Sequence, residues 1–351
     1  MRKLGYIFIL VVLLVNCNKE REIGPQCVEC PRDSLDLNVA TKLFVVNEGN
    51  FGWGNASLSL YDIESGTVQN QIYQTANDQN LVGDIAMSLE AINGKGYLTV
   101  NNSDKVVIID LTTFEKIGEI TSVNSPRFIK QVSASKAYLT SLYGNKIYVI
   151  DLELDSVVST IQTGGWNEDL VLYNERIFTV NRDLDVMQIV DINTDVIIET
   201  INTGKSPNSV ALDENDQLWV LCDGGFEEEK AELISISTSD FSILTIFQFE
   251  DIQDSPRNLE INGDGSILYF INQGIAAMSI LDSVLSASVI VDQGNRTFYG
   301  LGIDPKTGDI YISDARDYAQ EGQIYRYAFD GLEIDNFKVG IIPGTFTFYS
   351  E

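Results

Sequence analysis

Residues 137–165 read AYLTSLYGNKIYVIDLELDSVVSTIQTGG, in which three short runs of β-forming residues are separated by turns. Tyr138-Leu139-Thr140 begins a first strand, Tyr143-Gly144-Asn145 forms a turn, and residues 146–151 form a second strand. A third strand is predicted at residues 157–161, because Val, Ile, Thr and Tyr favour strands whereas Gly and Asn favour turns. The stretch therefore predicts a compact antiparallel unit.

The unit recurs, since residues 177–204 repeat its order of strands and turns. An aromatic residue marks one strand of each copy along the chain: Phe44, Tyr97, Tyr138, Phe178, Trp219, Tyr269 and Tyr311. Successive markers lie 53, 41, 40, 41, 50 and 42 residues apart. A period of about 40–45 residues is typical of a four-stranded propeller blade. The two longer intervals predict loop insertions, at residues 47–55 and 75–81 and at residues 223–229 and 250–255.

Each marker after the first is preceded by a strand that would lie nearest the propeller axis. These six inner strands are predicted at residues 84–92, 127–133, 168–173, 208–212, 258–261 and 299–303. Seven units need a seventh inner strand, and residues 344–348 supply it at the other end of the chain. Closure of this kind removes an open sheet edge. We expect an all-β fold, a seven-bladed β-propeller over residues 39–351, closed by the C-terminal strand joining the N-terminal blade.

The repeats resemble the YVTN family of seven-bladed propellers through Ile150-Asp151, Val190-Asp191 and residues 203–210. This resemblance extends over residues 43–348 and implies the fold. It implies no particular function, since propellers carry many.

The first residues resemble a secretory signal that ends in a lipid-attachment site. Arg2 and Lys3 precede an apolar run at residues 6–15, which is too short to span a bilayer. Residues 13–17 resemble a bacterial lipobox, which implies a signal peptide at residues 1–16 and lipidation of Cys17. Residues 18–22 resemble the charged tag of lipoproteins exported to the outer face of the outer membrane. We expect cell-surface attachment through the lipid anchor alone, with the choice of leaflet left open.

Residues 17–38 are expected to form a flexible tether between the lipid and the propeller. Cys27 and Cys30 lie in this segment, where they form either a local disulfide or none. A redox role would require the CxxC to begin a helix of a thioredoxin-like unit, which is not predicted here. Cys222 lies in a predicted strand and is expected to be a small core residue.

Composition argues against several classes of function. The chain has 51 acidic and 23 basic residues and a formal net charge of −28, which disfavours nucleic acid as a partner. It has no histidine, so Ser-His-Asp and Cys-His catalysis and His-ligated metals are excluded. Asp183 with Asp185, and Asp314 with Asp317, lack the spacing of a calcium loop. We expect a monomeric binding protein with no cofactor and no catalytic residues.

The strand order predicts where a ligand would bind. The inner and third strands of a blade run in the same direction, so the loops that precede them emerge on one face. These loops contain arginine, asparagine and aromatic residues, a composition suited to stacking on a flat organic ligand and hydrogen-bonding its amides. The candidate ligand-binding residues are Phe51, Trp53, Asn102, Arg127, Tyr143, Trp166, Asn167, Arg182, Asn208, Phe226, Arg257, Asn258, Arg296 and Tyr318.

A narrower resemblance concerns residues 44–52 (FVVNEGNFG) and 55–62 (NASLSLYD). These are similar to the first blade of the surface-exposed cobalamin-binding propeller lipoproteins of gut Bacteroidetes, known as BtuG. The resemblance implies a protein that caps a TonB-dependent outer-membrane transporter, captures cobalamin or another corrinoid, and passes it inward. Two alternatives remain open at this stage. One is a surface propeller that binds glycans or partner proteins, with Trp53 and Trp166 as sugar platforms; the other is a metal-dependent lactonase or lyase.

Overall fold

The computed structural model describes residues 40–285 and 288–350. The expected signal peptide, Cys17, the CxxC pair and almost all of the tether lie outside these residues. Within them, 28 strands form seven four-stranded antiparallel sheets. No helix in the described part of the chain is both long and apolar enough to cross a membrane.

Residues 42–202 form blades 1 to 4, except for the inner strand of blade 1. That strand comes from the C-terminal part of the chain. The strands of the first two blades are β1 (Lys42–Asn47), β2 (Ser57–Asp62), β3 (Thr67–Gln69), β4 (Ala86–Ile92), β5 (Lys95–Val100), β6 (Lys105–Asp110) and β7 (Lys116–Ile120). Those of blades 3 and 4 are β8 (Pro126–Ser133), β9 (Lys136–Ser141), β10 (Lys146–Asp151), β11 (Ser156–Gln162), β12 (Asn167–Tyr173), β13 (Arg176–Asn181), β14 (Val186–Asp191) and β15 (Val196–Asn202).

Blades 5 to 7 follow in the same order. Their strands, with the closing strand last, are β16 (Pro207–Leu212), β17 (Gln217–Cys222), β18 (Glu232–Ser237), β19 (Ile243–Gln248), β20 (Arg257–Ile261), β21 (Ile267–Ile271), β22 (Gly274–Ser279), β23 (Ser288–Asp292), β24 (Phe298–Ile303), β25 (Ile310–Asp314), β26 (Glu321–Tyr327), β27 (Glu333–Ile341) and β28 (Pro343–Tyr349).

The predicted closure is confirmed. Strand β28 is the inner strand of blade 1 and pairs antiparallel with β1, with Phe346 opposite Val45 and Phe348 opposite Leu43. The sheet order β28-β1-β2-β3 therefore joins the two ends of the propeller in one blade. All seven marker aromatics lie on the second strand of their blade, as the repeat predicts.

The hydrophobic core lies between neighbouring blades. One cluster joins Tyr97 and Ile108 of blade 2 to Leu139 and Ile150 of blade 3. Another joins blade 1 to blade 7 across the closure, through Leu43, Val45 and Tyr61 on one side and Tyr311 and Ile324 on the other. Because each sheet buries both faces against its neighbours, the β-branched and aromatic residues of the repeat become interior.

Four of the marker aromatics reach from their blade to the turn between the third and outer strands of the next blade. The Tyr97 hydroxyl donates to Asp155 at 2.6 Å, and the Tyr138 hydroxyl donates to Asp195. Lys95 and Lys136 bind the same two carboxylates. Where the marker is phenylalanine the turn supplies a ring instead, and the centroids of Phe44 and Phe114 lie 6.2 Å apart and those of Phe178 and Phe241 6.3 Å apart.

One expected loop is partly helical. Residues 75–81 are predicted as loop, but Thr75 and Ala76 lie in a short helix, α1 (Ile72–Ala76). Ile72 and Tyr73 are buried against the core of the first two blades. Tertiary packing of these two side chains, which precede the polar residues used for the prediction, accounts for the helical turn.

The loops that precede the inner and third strands lie at one edge of the sheets, which we call the front face. The inner strands begin at this face and run toward the opposite one. The loops that contain the candidate ligand-binding residues therefore lie at the front face, and the N-terminal end of each inner strand opens toward it.

Candidate ligand-binding face

A cavity of about 770 Å³ runs between the seven inner strands and is here called the channel. Every inner strand contributes to its lining near its front end. The contributing residues include Met87, Arg127, Glu168, Asn208, Arg257, Tyr299 and Gly344. The pairing register shifts close to the front end of the inner strands, for example between Asn167 and Leu170 and between Arg257 and Glu260. Such bulges re-aim side chains, so successive residues face the channel instead of alternating.

A connected group of charged side chains and one ring lies at the channel mouth. Arg127 Nε donates to Glu168 Oε2 at 2.9 Å, and a second guanidinium nitrogen reaches the other carboxylate oxygen. The Trp166 indole N–H donates to the same carboxylate. Arg182 pairs with Asp223 at 2.6 Å. The guanidinium carbons of Arg127 and Arg182 lie 5.6 and 4.9 Å from the Trp166 ring centroid, so cation–π contacts already occupy this ring.

Glu48 supplies a buried carboxyl group beside this arrangement, with only 8% of the residue exposed. Burial raises the pKa of Glu48 to about 7, against the smaller opposing effects of the Tyr299 hydroxyl and the Arg127 guanidinium. Its carboxyl group therefore changes charge near neutral pH.

Two further carboxyl groups lie deeper in the channel. Burial raises the pKa of Asp169 to about 6, although its carboxylate accepts hydrogen bonds from the backbone N–H groups of Leu170 and Val210. Burial raises the pKa of Glu260 to about 8, and the nearby Asp169 adds to the shift by charge repulsion. The channel interior therefore disfavours negative charge, because protein rather than bulk water surrounds these groups.

Exposed aromatic rings surround the channel on the front face. Phe51, Trp53, Tyr143, Phe226 and Tyr318 are between 45% and 94% exposed and lie in loops between second and third strands. Across residues 40–285 and 288–350, one more ring is exposed to this degree, that of Phe329 on the opposite face. We call the five front-face rings the rim.

The rim loops are held by hydrogen bonds. The Gly52 backbone N–H donates to the Asp84 carboxylate at 2.9 Å, and the Asn102 side chain donates to the same group. The backbone N–H of Asn50 donates to the Asn55 side chain at 2.7 Å. Phe51 and Trp53 are therefore presented from a fixed turn.

The structure groups the fourteen candidate residues in three ways. Six line the channel: Arg127, Trp166, Arg182, Asn208, Arg257 and Asn258. Five form the rim, and Asn102 is exposed beside it. The other two lie elsewhere. Asn167 is fully buried and bonds to Gln188 within its blade, whereas Arg296 folds back onto the Tyr327 hydroxyl and the rings of Phe298 and Tyr325.

Several channel residues are absent from the set predicted from the sequence. They are Glu48, Glu168, Asp169, Glu260 and Tyr299. A signal was present for some of them, since Glu168, Asp169 and Glu260 are charged residues in predicted inner strands, where apolar residues would be expected. The bulges prevented a strict alternation rule from assigning their direction. No group of three or more His, Cys, Asp or Glu side chains suited to a metal ion occurs in the described part of the chain.

Residues 42–346 match the family described as "Domain of unknown function (DUF5074)". No curated protein sequence matches the chain. Among solved structures, it is similar to a quinonprotein alcohol dehydrogenase-like protein from Bacteroides thetaiotaomicron, with 16% identity and a TM-score of 0.66, covering 88% of this chain and 78% of that one.

It is also similar to Kuenenia stuttgartiensis hydrazine synthase, with 13% identity and a TM-score of 0.61, covering 74% of this chain and 87% of that one. A third similar structure is dihydro-heme d1 dehydrogenase NirN in complex with DHE, with 8% identity and a TM-score of 0.62, covering 87% and 75%. Likeness at such low identity shows the propeller fold alone.

Proposed function

The chain belongs to the DUF5074 family, and since that description names no activity, we propose its function from the front face. The protein is a lipoprotein of the outer-membrane surface that captures cobalamin or another corrinoid and passes it to a TonB-dependent transporter. The resemblance of residues 44–62 to cobalamin-binding propellers motivates the choice of ligand.

The observation that carries the proposal is the distribution of exposed rings. Five of the six strongly exposed rings of the described chain lie on one face, around the mouth of the channel. Exposing an aromatic ring to water is unfavourable. Single exposed rings are common, but a cluster of them on one face marks a binding surface. Trp53 and Phe226 are the most exposed of these rings. Trp166, in contrast, is already covered by guanidinium groups.

The polar groups of the same face suit a ligand with many amides. Asn102, Asn258 and Asn208 lie at the rim or in the channel and carry amide donors and acceptors. A corrin ring bears several amide arms and a nucleotide loop, so it needs a broad face with many polar contacts rather than a deep apolar slot. The hydrogen-bonded loops limit the entropy lost on binding.

Isothermal titration of the full chain in detergent with cyanocobalamin tests the proposal. We expect one-to-one binding, and we expect Trp53→Ala with Phe226→Ala to weaken it by about tenfold or more, since each buried ring contributes about 1 kcal/mol or more. The melting temperature should stay nearly unchanged because both side chains are exposed.

Phe329→Ala, which removes the exposed ring of the opposite face, is the matched control and should leave affinity unchanged. Absence of binding heat, together with absence of bound colour after gel filtration, would reject the corrinoid. The rim would then be tested against glycans and partner proteins.

A further inference from the structure

The three arginines that line the channel differ in how their charge is balanced. Arg127 pairs with Glu168, and Arg182 pairs with Asp223. Arg257 has no carboxylate within ion-pair distance among residues 40–285 and 288–350. Its one hydrogen bond to the described chain runs from a guanidinium nitrogen to the Phe298 carbonyl oxygen at 2.6 Å.

A guanidinium group has five N–H donors in a planar fork, so most donors of Arg257 have no acceptor from this part of the protein. Burial lowers the pKa of Arg257, and the neighbouring hydroxyl groups of Tyr318 and Tyr299 offset this only in part. A partly desolvated cation without a counter-charge is costly for a folded protein. The chain has 51 acidic residues, yet the described ones place none against this cation.

Arg257 lines the channel and lies near Tyr318 of the rim. We propose that Arg257 binds an oxyanion carried by the captured ligand, a phosphodiester or a carboxylate. The planar fork of arginine matches both groups through two parallel hydrogen bonds. The ring of Tyr318 packs edge-on against Tyr299 at a centroid distance of 5.9 Å, and both residues lie close enough to Arg257 to influence its charge.

The inference deepens the proposed capture function and rests on it for the identity of the ligand. A corrinoid with a complete nucleotide loop carries one phosphodiester, whereas cobinamide lacks that loop. The oxyanion site therefore predicts a preference between two corrinoids that share the same ring and amide arms.

Isothermal titration of the full chain with cyanocobalamin and with dicyanocobinamide measures this preference. We expect Arg257→Gln to weaken cyanocobalamin binding by about 10- to 100-fold, as for loss of a charged hydrogen bond, and to leave cobinamide binding unchanged. Arg257→Lys should recover part of the affinity because it keeps the charge without the fork. Arg176→Gln, at the opposite end of blade 4, is the control and should change neither affinity.

Equal weakening for both corrinoids, or none for either, would overturn the assignment. If the unaltered protein binds neither corrinoid, the capture function fails and the oxyanion site is tested alone. Dimethyl phosphate or acetate, compared with chloride at equal ionic strength, should then raise the melting temperature of the unaltered protein but not of Arg257→Gln, and the more effective anion identifies the preferred group. No difference between the two proteins would reject the site.

The stability of Arg257→Gln without ligand separates binding from a structural role. An unpaired cation contributes cost rather than stability, so the variant should melt at the same temperature as the unaltered protein or higher. A melting temperature clearly below that of the unaltered protein would show that Arg257 serves the fold and would count against the proposal.

Discussion

At the channel mouth, the Glu48 carboxyl group fills space that is free because Gly344 has no side chain. A Cβ atom on Gly344 would lie 2.6 Å from Glu48 Oε1, so a side chain there would displace the carboxyl group. The burial that results explains why the pKa of Glu48 rises to about 7. In the unfolded chain this carboxyl group would ionise at its ordinary, lower pKa.

This difference predicts how stability depends on pH. The folded state holds a proton on Glu48 that the unfolded state releases between its ordinary pKa and about 7, so stability falls as pH rises through this window. Replacing Glu48 with Gln removes the ionisation. We expect the variant to lie within about 1 kcal/mol of the unaltered protein at pH 5 and to exceed its free energy of unfolding at pH 8 by up to about 3 kcal/mol. Urea unfolding at both pH values measures this.

Glu153→Gln, in an exposed turn, is the control and should show no such difference. A Glu48→Gln variant that is less stable than the unaltered protein at pH 8 would contradict the prediction. At this scale the sequence shows Glu48 only as part of a motif. Its burial depends on a glycine almost 300 positions away, which no local pattern indicates.

At the scale of the element, four contacts between successive blades, made by the markers Phe44, Tyr97, Tyr138 and Phe178, share one pattern. The turn residue that meets each of these four markers has a positive φ angle: 62° for Phe114, 49° for Asp155, 57° for Asp195 and 63° for Phe241. The tyrosine markers Tyr97 and Tyr138 meet aspartate, and the phenylalanine markers Phe44 and Phe178 meet phenylalanine. The same turn geometry therefore carries either a hydrogen bond or a ring contact.

Exchanging one kind of contact for the other tests this rule. Tyr138→Phe alone should cost about 1 kcal/mol, since Asp195 loses a donor. We expect Tyr138→Phe combined with Asp195→Phe to be more stable than the two single effects added, by about 1 kcal/mol, because the rings can pack as in the Phe44 pair. Denaturant unfolding of the four proteins in the cycle gives the coupling energy.

The control cycle combines Tyr138→Phe with Asp155→Phe, whose natural partner is Tyr97, and its effects should add. Coupling of similar size in both cycles would show that the pairing rule does not operate. The marker positions could be predicted from the sequence because they recur at a fixed period. The turn residues could not, because they vary between Asp and Phe and show their common role only through backbone conformation.

At the scale of the whole molecule, the strand count predicted both the number of blades and the closure. Each strand carries the short β-branched and aromatic pattern that decides its type, and the seventh inner strand was the one left over. The rim rings could be assigned to one face because strand direction alone places the loops. The channel carboxyl groups of Glu168, Asp169 and Glu260 could not, because bulges at the front ends of the inner strands alter which side chains face inward.

The proposed attachment to the outer membrane depends on Cys17, which lies outside the described residues. We expect Cys17→Ala to move the protein from the membrane fraction to the soluble fraction, since the lipid is the proposed anchor. Cell fractionation followed by immunoblotting measures the distribution. Cys222→Ala, at a fully buried position of blade 5, is the control and should leave the protein with the membranes. Retention of Cys17→Ala in the membrane fraction would contradict the proposed anchor.

The absence of histidine, set beside the channel carboxyl groups, gives the protein an unusual response to acidity. Histidine is the side chain whose ordinary pKa lies between pH 5 and 8, and this chain has none. The raised pKa values of Asp169, Glu48 and Glu260, about 6, 7 and 8, fall in that interval. Within residues 40–285 and 288–350, these three carboxyl groups place proton uptake near neutrality inside the channel. Acidity in the surroundings would then alter the charge inside the channel and, with it, what the channel holds.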